Sequence, residues 1–91
     1  MTFVEEPQGS RITRRETATL SAFAPGAVCY QWYKNGELIE GAVGRTIEAG
    51  YRKSNAVDTF QCVAHFNLFG YAVSSEARVE SLPDATVMIV R

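Results

Sequence analysis

The stretch Tyr30-Gln31-Trp32-Tyr33-Lys34-Asn35-Gly36 decides how this chain is read. Side chains of a strand alternate between faces, so Tyr30 and Trp32 share one face and Gln31 and Tyr33 the other, as in a half-buried strand. Asn35-Gly36 supplies the two residues that most readily take positive φ. Lys34-Asn35-Gly36-Glu37 is therefore a tight hairpin turn into a second short strand at Leu38-Ile39.

The same alternation extends in both directions. Thr17 to Phe23 places Leu20 and Ala22 inward, and Ala24-Pro25-Gly26 is a loop before the tryptophan strand. Arg45 to Ala49 is strand-like with Ile47 inward, and Gly50 to Asp58 reads as a polar connection. Thr59 to Phe66 puts Phe60, Cys62 and Ala64 on one inward face, Asn67-Leu68-Phe69-Gly70 is a hairpin loop, and Tyr71 to Glu80 returns with Ala77 and Val79 inward. Pro7 and Gly9 break the N-terminal extended segment into short pieces, an edge-strand habit. No helical period competes. Short strands with turn signals every ~8–12 residues define an all-β sandwich or barrel. The expected core anchors are Leu20, Ala22, Trp32, Phe60 and Cys62.

A chain of 91 residues makes one domain, and 46% hydrophobic residues suffice for a packed core. So small a domain buries a modest share of its surface and can lean on neighbours. The net charge of −1 argues against a general nucleic-acid binder. Arg11, Arg14 and Arg15 read as a solvated strand face rather than a docking patch. No apolar run approaches the ~18 residues of a membrane span, so no membrane insertion is expected. Met1 to Pro7 has neither basic leader nor apolar core and does not read as a signal peptide. Asn35, Asn55 and Asn67 lack the following Ser/Thr of a glycosylation acceptor. If Met1 is the native start, folding occurs in the cytosol, where disulfides are rare.

By order and spacing, these pieces resemble an immunoglobulin-like domain of the bacterial and phage type. Thr17-Ala18-Thr19-Leu20-Ser21-Ala22 is similar to its second strand, and Tyr30 to Gly36 followed by Leu38-Ile39-Glu40-Gly41-Ala42 to its central hairpin. Phe60-Gln61-Cys62-Val63-Ala64 and Ser74-Ser75-Glu76-Ala77-Arg78-Val79 match its closing strands. The resemblance implies an antiparallel β-sandwich of about seven strands over residues 1–80. Residues 81–91 form a C-terminal extension, an added strand or docking tail. Ala22 stands where the family has its first core cysteine, so the usual inter-sheet disulfide to Cys62 cannot form. Phe60 replaces the corner tyrosine, and Asp58 occupies the position of a corner glycine. Losing such a disulfide costs about 2–5 kcal/mol in a small domain, to be recovered by packing around Trp32. Cys29 is out of phase with Tyr30 and Trp32, so it should face outward, away from Cys62, leaving both thiols unpaired.

The residues carry no catalytic constellation. His65 follows Ala64 on the opposite strand face and reads as a surface histidine. Cys29, Cys62 and His65 lack metal-ligand spacing, Glu5 and Glu6 point apart along an extended piece, and Asp58 and Asp84 sit in turn-like contexts. The expectation is a non-enzyme without cofactor. Two features depart from a bland surface. The loop from Phe66 to Tyr71 offers Phe66, Leu68, Phe69 and Tyr71, and apolar loop residues mark interfaces or fold back to cap the core. The segment after Pro83 contains Thr86-Val87-Met88-Ile89-Val90, a strand-forming run with Val87, Met88 and Ile89 as candidate contacts, which would pair with its own sheet or a partner's edge.

The resemblance implies a binding or structural role as an outer-capsid decoration protein of a tailed bacteriophage, folded in the host cytoplasm and displayed on the virion. Its expected partners are the major capsid protein and, weakly, host-surface carbohydrate. The alternative is a spacer or adhesion module of a larger bacterial cell-surface protein or carbohydrate-active enzyme.

Overall fold

The computed structural model describes residues 2–67 and 70–83. They form β1 (Ser10–Ile12), β2 (Thr17–Ser21), β3 (Ala27–Lys34), β4 (Glu37–Leu38), β5 (Thr46–Gly50), β6 (Val57–Phe66), β7 (Gly70–Val73) and β8 (Ala77–Ser81). One sheet has six strands in the order β1-β8-β6-β3-β4, with β7 also on β6. The other pairs β2 with β5. This is an all-β, immunoglobulin-like sandwich. The expected single return from Tyr71 to Glu80 is two strands, β7 and β8, on successive halves of β6. The extra strand expected after Pro83 lies outside the described residues.

The tryptophan hairpin forms as its sequence dictates. Asn35 and Gly36 have φ of 52° and 87°, and Tyr33 pairs with Leu38 and Lys34 with Glu37. This double positive φ matches the right-handed twist of the strands it joins. Across β3, Trp32 sits opposite Cys62 and Tyr30 opposite Ala64. Trp32 and Cys62 are both 0% exposed, and Leu20, Ala22, Phe60, Ala64, Ala77 and Val79 are among the residues buried in the core with them. The Trp32 indole N–H reaches the Gly44 carbonyl at 2.9 Å, so the largest core side chain buries no unpaired polar atom. Cys29 lies on the outer face and Cys62 in the core, and neither is bonded to the other.

The N-terminal segment stitches the two sheets together. Val4 and Glu5 bond to Phe23 beyond β2, whereas β1 runs parallel to β8 in the other sheet. Between them lie Glu6, the buried Pro7 and Gly9. Glu5 points to Ser21 and to Arg45 (3.0 Å), which also lies 4.3 Å over the Phe23 ring. Glu6 points the other way and accepts from Ser75 N–H (2.9 Å) and Oγ–H (3.2 Å). The parallel β1–β8 pair departs from the all-antiparallel expectation, because a strand arriving from the opposite sheet enters in the same sense as β8.

Two assignments need correcting. Gly50 to Asp58 is not simply a connection: β5 runs to Gly50 and β6 begins at Val57. Asp58 is not in a turn but is buried on β6, in phase with Phe60 and Cys62.

The strand directions define two poles. Phe23 to Ala27, Phe66 and Gly70 cluster at one, here called upper. The β3–β4 turn, Val57 and Leu82 lie at the other, because Ala27 pairs with Phe66 while Val57 pairs with Glu80. A Cβ at Gly9 would stand 2.5 Å from the Arg78 carbonyl oxygen, a backbone atom that cannot step aside. Gly9→Ala is therefore expected to lower unfolding free energy by about 1–3 kcal/mol, the usual range for overpacking, as read from urea denaturation.

Candidate functional site

Two regions carry side chains beyond the needs of the core, a polar knot at the lower pole and the outer face of the larger sheet. The knot centres on Asp58, 4% exposed. Its carboxylate accepts from Asn35 Nδ2 (3.0 Å) and Arg52 Nε (3.1 Å). Asn35 Oδ1 accepts in turn from Thr59 N–H (2.9 Å), and Asn35 N–H donates to the Thr59 carbonyl (2.7 Å). The turn that closes the tryptophan hairpin is thus clamped to the start of β6. Beside it, Tyr51 Oη donates to the Leu82 carbonyl at 2.9 Å, so a hydroxyl from β5's end ties down the chain as it leaves β8. Together these bonds anchor the corner where Phe60 has no hydroxyl to offer.

Burial raises the Asp58 carboxyl pKa, but the hydrogen bonds from Asn35 and Arg52, with the positive charges of Lys34 and Arg52, outweigh it. The net displacement is downward from the usual carboxylate range. The knot's bonds are structural: both oxygens of the carboxylate are engaged, one by Asn35 and one by Arg52.

On the outer face, register builds rows that linear spacing does not reveal. Tyr33 lies between Leu38 and Gln61, Gln31 pairs with Val63 and Val63 with Val73, and Cys29 pairs with His65 and His65 with Tyr71. Tyr71 is 67% exposed, Val73 51% and Leu38 48%. His65 is half-buried rather than a free surface histidine. Its Nε2 meets Gln31 Oε1 at 3.1 Å, and its ring lies 6.4 Å from that of Tyr71. Cys29 and His65 are cross-strand neighbours, but among the described residues no third ligand joins them into a metal-binding group.

The expected aromatic loop divides. Phe66 is buried at 7% and continues the inward row of Phe60, Cys62 and Ala64, so it caps the core and is not available to a partner. Tyr71 is outward and exposed. Leu68, Phe69, Val87, Met88 and Ile89 lie outside the described residues. The sequence reading missed Leu38 and Val73, which the alternation of β4 and β7 places on the same outer face as Tyr71.

No family model matches this sequence, and no curated protein matches it. Among solved structures the chain is similar to the fibronectin(III)-like modules of CbhA from Clostridium thermocellum, with a TM-score of 0.57 and 14% identity over 91% of this chain and 94% of that one. At that identity the likeness is one of fold, and it agrees with the sandwich described above.

The two regions yield two expectations. A depressed carboxyl pKa stabilises the fold above the unfolded-state value, and the benefit is lost as pH falls through the folded value. Asp58→Ala should cost about 1–3 kcal/mol at neutral pH, by stranding the Asn35 and Arg52 donors, and the gap to the unaltered protein should close in acid in urea titrations across pH. Burial also pushes the Cys62 thiol up to about 12. A thiol reagent should label Cys29 alone in the native state and both cysteines after denaturation, as counted by mass spectrometry.

Proposed function

We propose that this chain is a non-enzymatic, immunoglobulin-like module of a larger bacterial protein, serving as a spacer that carries load and holds neighbouring segments apart. The observation that carries this reading is the placement of the entry and exit points. The chain joins the sandwich at the upper pole, where Val4 bonds to Phe23, and leaves it at the lower pole, where Leu82 N–H bonds to the Ile12 carbonyl at 2.8 Å. Modules connected through opposite poles line up end to end and add their lengths. Tension applied through those points acts along β1 and β8, which are hydrogen-bonded to each other and parallel. Their ladder bonds are then strained together in shear rather than opened one at a time. The fibronectin(III)-like likeness supports the same reading at the level of fold.

Little on the surface supports catalysis. The polar cluster of highest burial is spent on the fold, and Tyr33 and Tyr71 lie two strands apart in different register rows rather than in a continuous platform for sugar stacking. Adhesion through the outer sheet face is compatible with the spacer role, with a protein surface as the partner.

The reading as a phage capsid decoration protein, docked on the major capsid protein with weak affinity for host carbohydrate, keeps one observation in its favour. The core is built on Ala22 and a free, buried Cys62, which suits folding in a reducing cytoplasm. One experiment separates the two. Antibody against the sandwich, used on the organism that encodes it, should detect a cell-surface polypeptide much longer than 91 residues. A product of this length that co-purifies with phage particles would overturn the spacer reading in favour of the capsid one.

A further inference from the structure

The rim of the larger sheet is covered along only half its length. β8 has β1 on its far side. β7 continues the same line toward the upper pole and has β6 on one side, with no strand on the other among the described residues. The cause is the crossover at Pro7. Above it, the N-terminal segment has left this sheet for Phe23, so the row that β1 occupies beside β8 stops short of β7. Ser74 N–H donates to the Cys62 carbonyl at 2.8 Å. By the alternation of an antiparallel ladder, the backbone groups of Tyr71 and Val73 therefore point away from β6, into the open row.

This edge also lacks the usual protection. Gly70-Tyr71-Ala72-Val73 carries no charge, no proline and two exposed apolar side chains, whereas β4 at the opposite rim has only two residues and β1 presents Arg11 in an ion pair with Glu80. An edge of this kind recruits another strand. We propose that it accepts Thr86–Val90 of another copy of this chain, as a strand parallel to β7 and in line with β1.

Three observations select that occupant. Thr86-Val87-Met88-Ile89-Val90 is uncharged and rich in β-branched residues, so it suits a strand. Its own edge is out of reach. The chain leaves β8 at the lower pole and the row beside β8 is filled by β1, while Val73, opposite Val63, stands ~23 Å along β6 from Ala56, to which Ser81 N–H bonds; Thr86, five residues after Ser81, reaches at most ~18 Å, so the run as a whole cannot lie along its own β7. Direction then fits a neighbour. A chain leaving the lower pole of one copy and meeting the upper pole of the next runs in the same sense as β7. The contact is heterologous and propagates end to end. This goes beyond the spacer reading and does not rest on it, since separate chains and successive modules would use the same joint.

The test is complementation between two full-length variants. Val73→Pro removes an outward N–H from the acceptor edge without touching the ladder to β6, and Ile89→Pro disables the donor. Sedimentation velocity should show the unaltered chain associating as concentration rises and each variant remaining monomeric, with an equimolar mixture of the two regaining a dimer. Circular dichroism checks folding, and Val73→Lys replaces Val73→Pro if the proline unfolds the chain. A chain that stays monomeric throughout would overturn the proposal, as would an Ile89→Pro variant that associates like the unaltered protein, the result expected of β7 pairing with β7 about a two-fold axis. A mixture that fails to re-associate would overturn it equally.

Discussion

The insertion of Trp32 between the two sheets is the contact on which the rest of the structure depends. A sandwich needs something that spans its interior. Ala22 offers no thiol to the buried, free Cys62, so no covalent link is available there, and dispersion and hydrophobic burial must supply what a crosslink would. Trp32 does this with the largest fully buried side chain in the protein, and its indole N–H is satisfied at Gly44, on the segment leading into β5. One residue thus fixes the distance between the sheets and ties the strand that carries it to the opposite layer. Leu20 from β2, Ala22 just beyond it, and Phe60, Cys62 and Ala64 from β6 belong to the same buried cluster. The alanines allow the indole the room it fills.

The two poles are secured by polar bonds. At the lower pole, Asp58, Asn35 and Arg52 hold the hairpin turn against β6, and Tyr51 holds the departing chain at Leu82. Toward the upper pole, the crossing N-terminal segment uses Glu5 on one sheet and Glu6 on the other, while the Tyr30 hydroxyl accepts from Ala24 N–H at 3.2 Å. Rigid ends suit a module connected through them. The same crossing that joins the sheets also leaves β7 bare, so the device that stabilises one end creates the edge where another strand can add.

Much of this was legible from residue order, and the failures have identifiable causes. The hairpin from Tyr30 to Gly36 could be read because alternation, aromatic content and an Asn-Gly turn agree there. Asp58 and Phe66 both lie in phase with Phe60, Cys62 and Ala64, and their local sequence context conceals it. Asp58 follows a polar stretch that suggests a turn, and Phe66 borders an aromatic loop that offers it a second reading. Period-2 phase was the stronger signal in each case. The parallel pairing of β1 with β8 and the meeting of Cys29, His65 and Tyr71 in one row depend on register between distant strands, which no local pattern carries. Val73 as an open-edge residue depends on where the N-terminal segment goes, and that too is a matter of topology.

The claim that noncovalent packing on Trp32 takes the place of the inter-sheet disulfide is tested most directly by urea unfolding of the unaltered chain and of Trp32→Phe. Circular dichroism would follow both, each with and without a reducing agent. The account predicts that Trp32→Phe lowers the unfolding free energy by about 1.5–3 kcal/mol, through the space the smaller ring leaves and the stranded Gly44 carbonyl, while reductant leaves both curves unchanged. A Trp32→Phe curve that overlays the unaltered one, or a midpoint that falls on reduction, would contradict it.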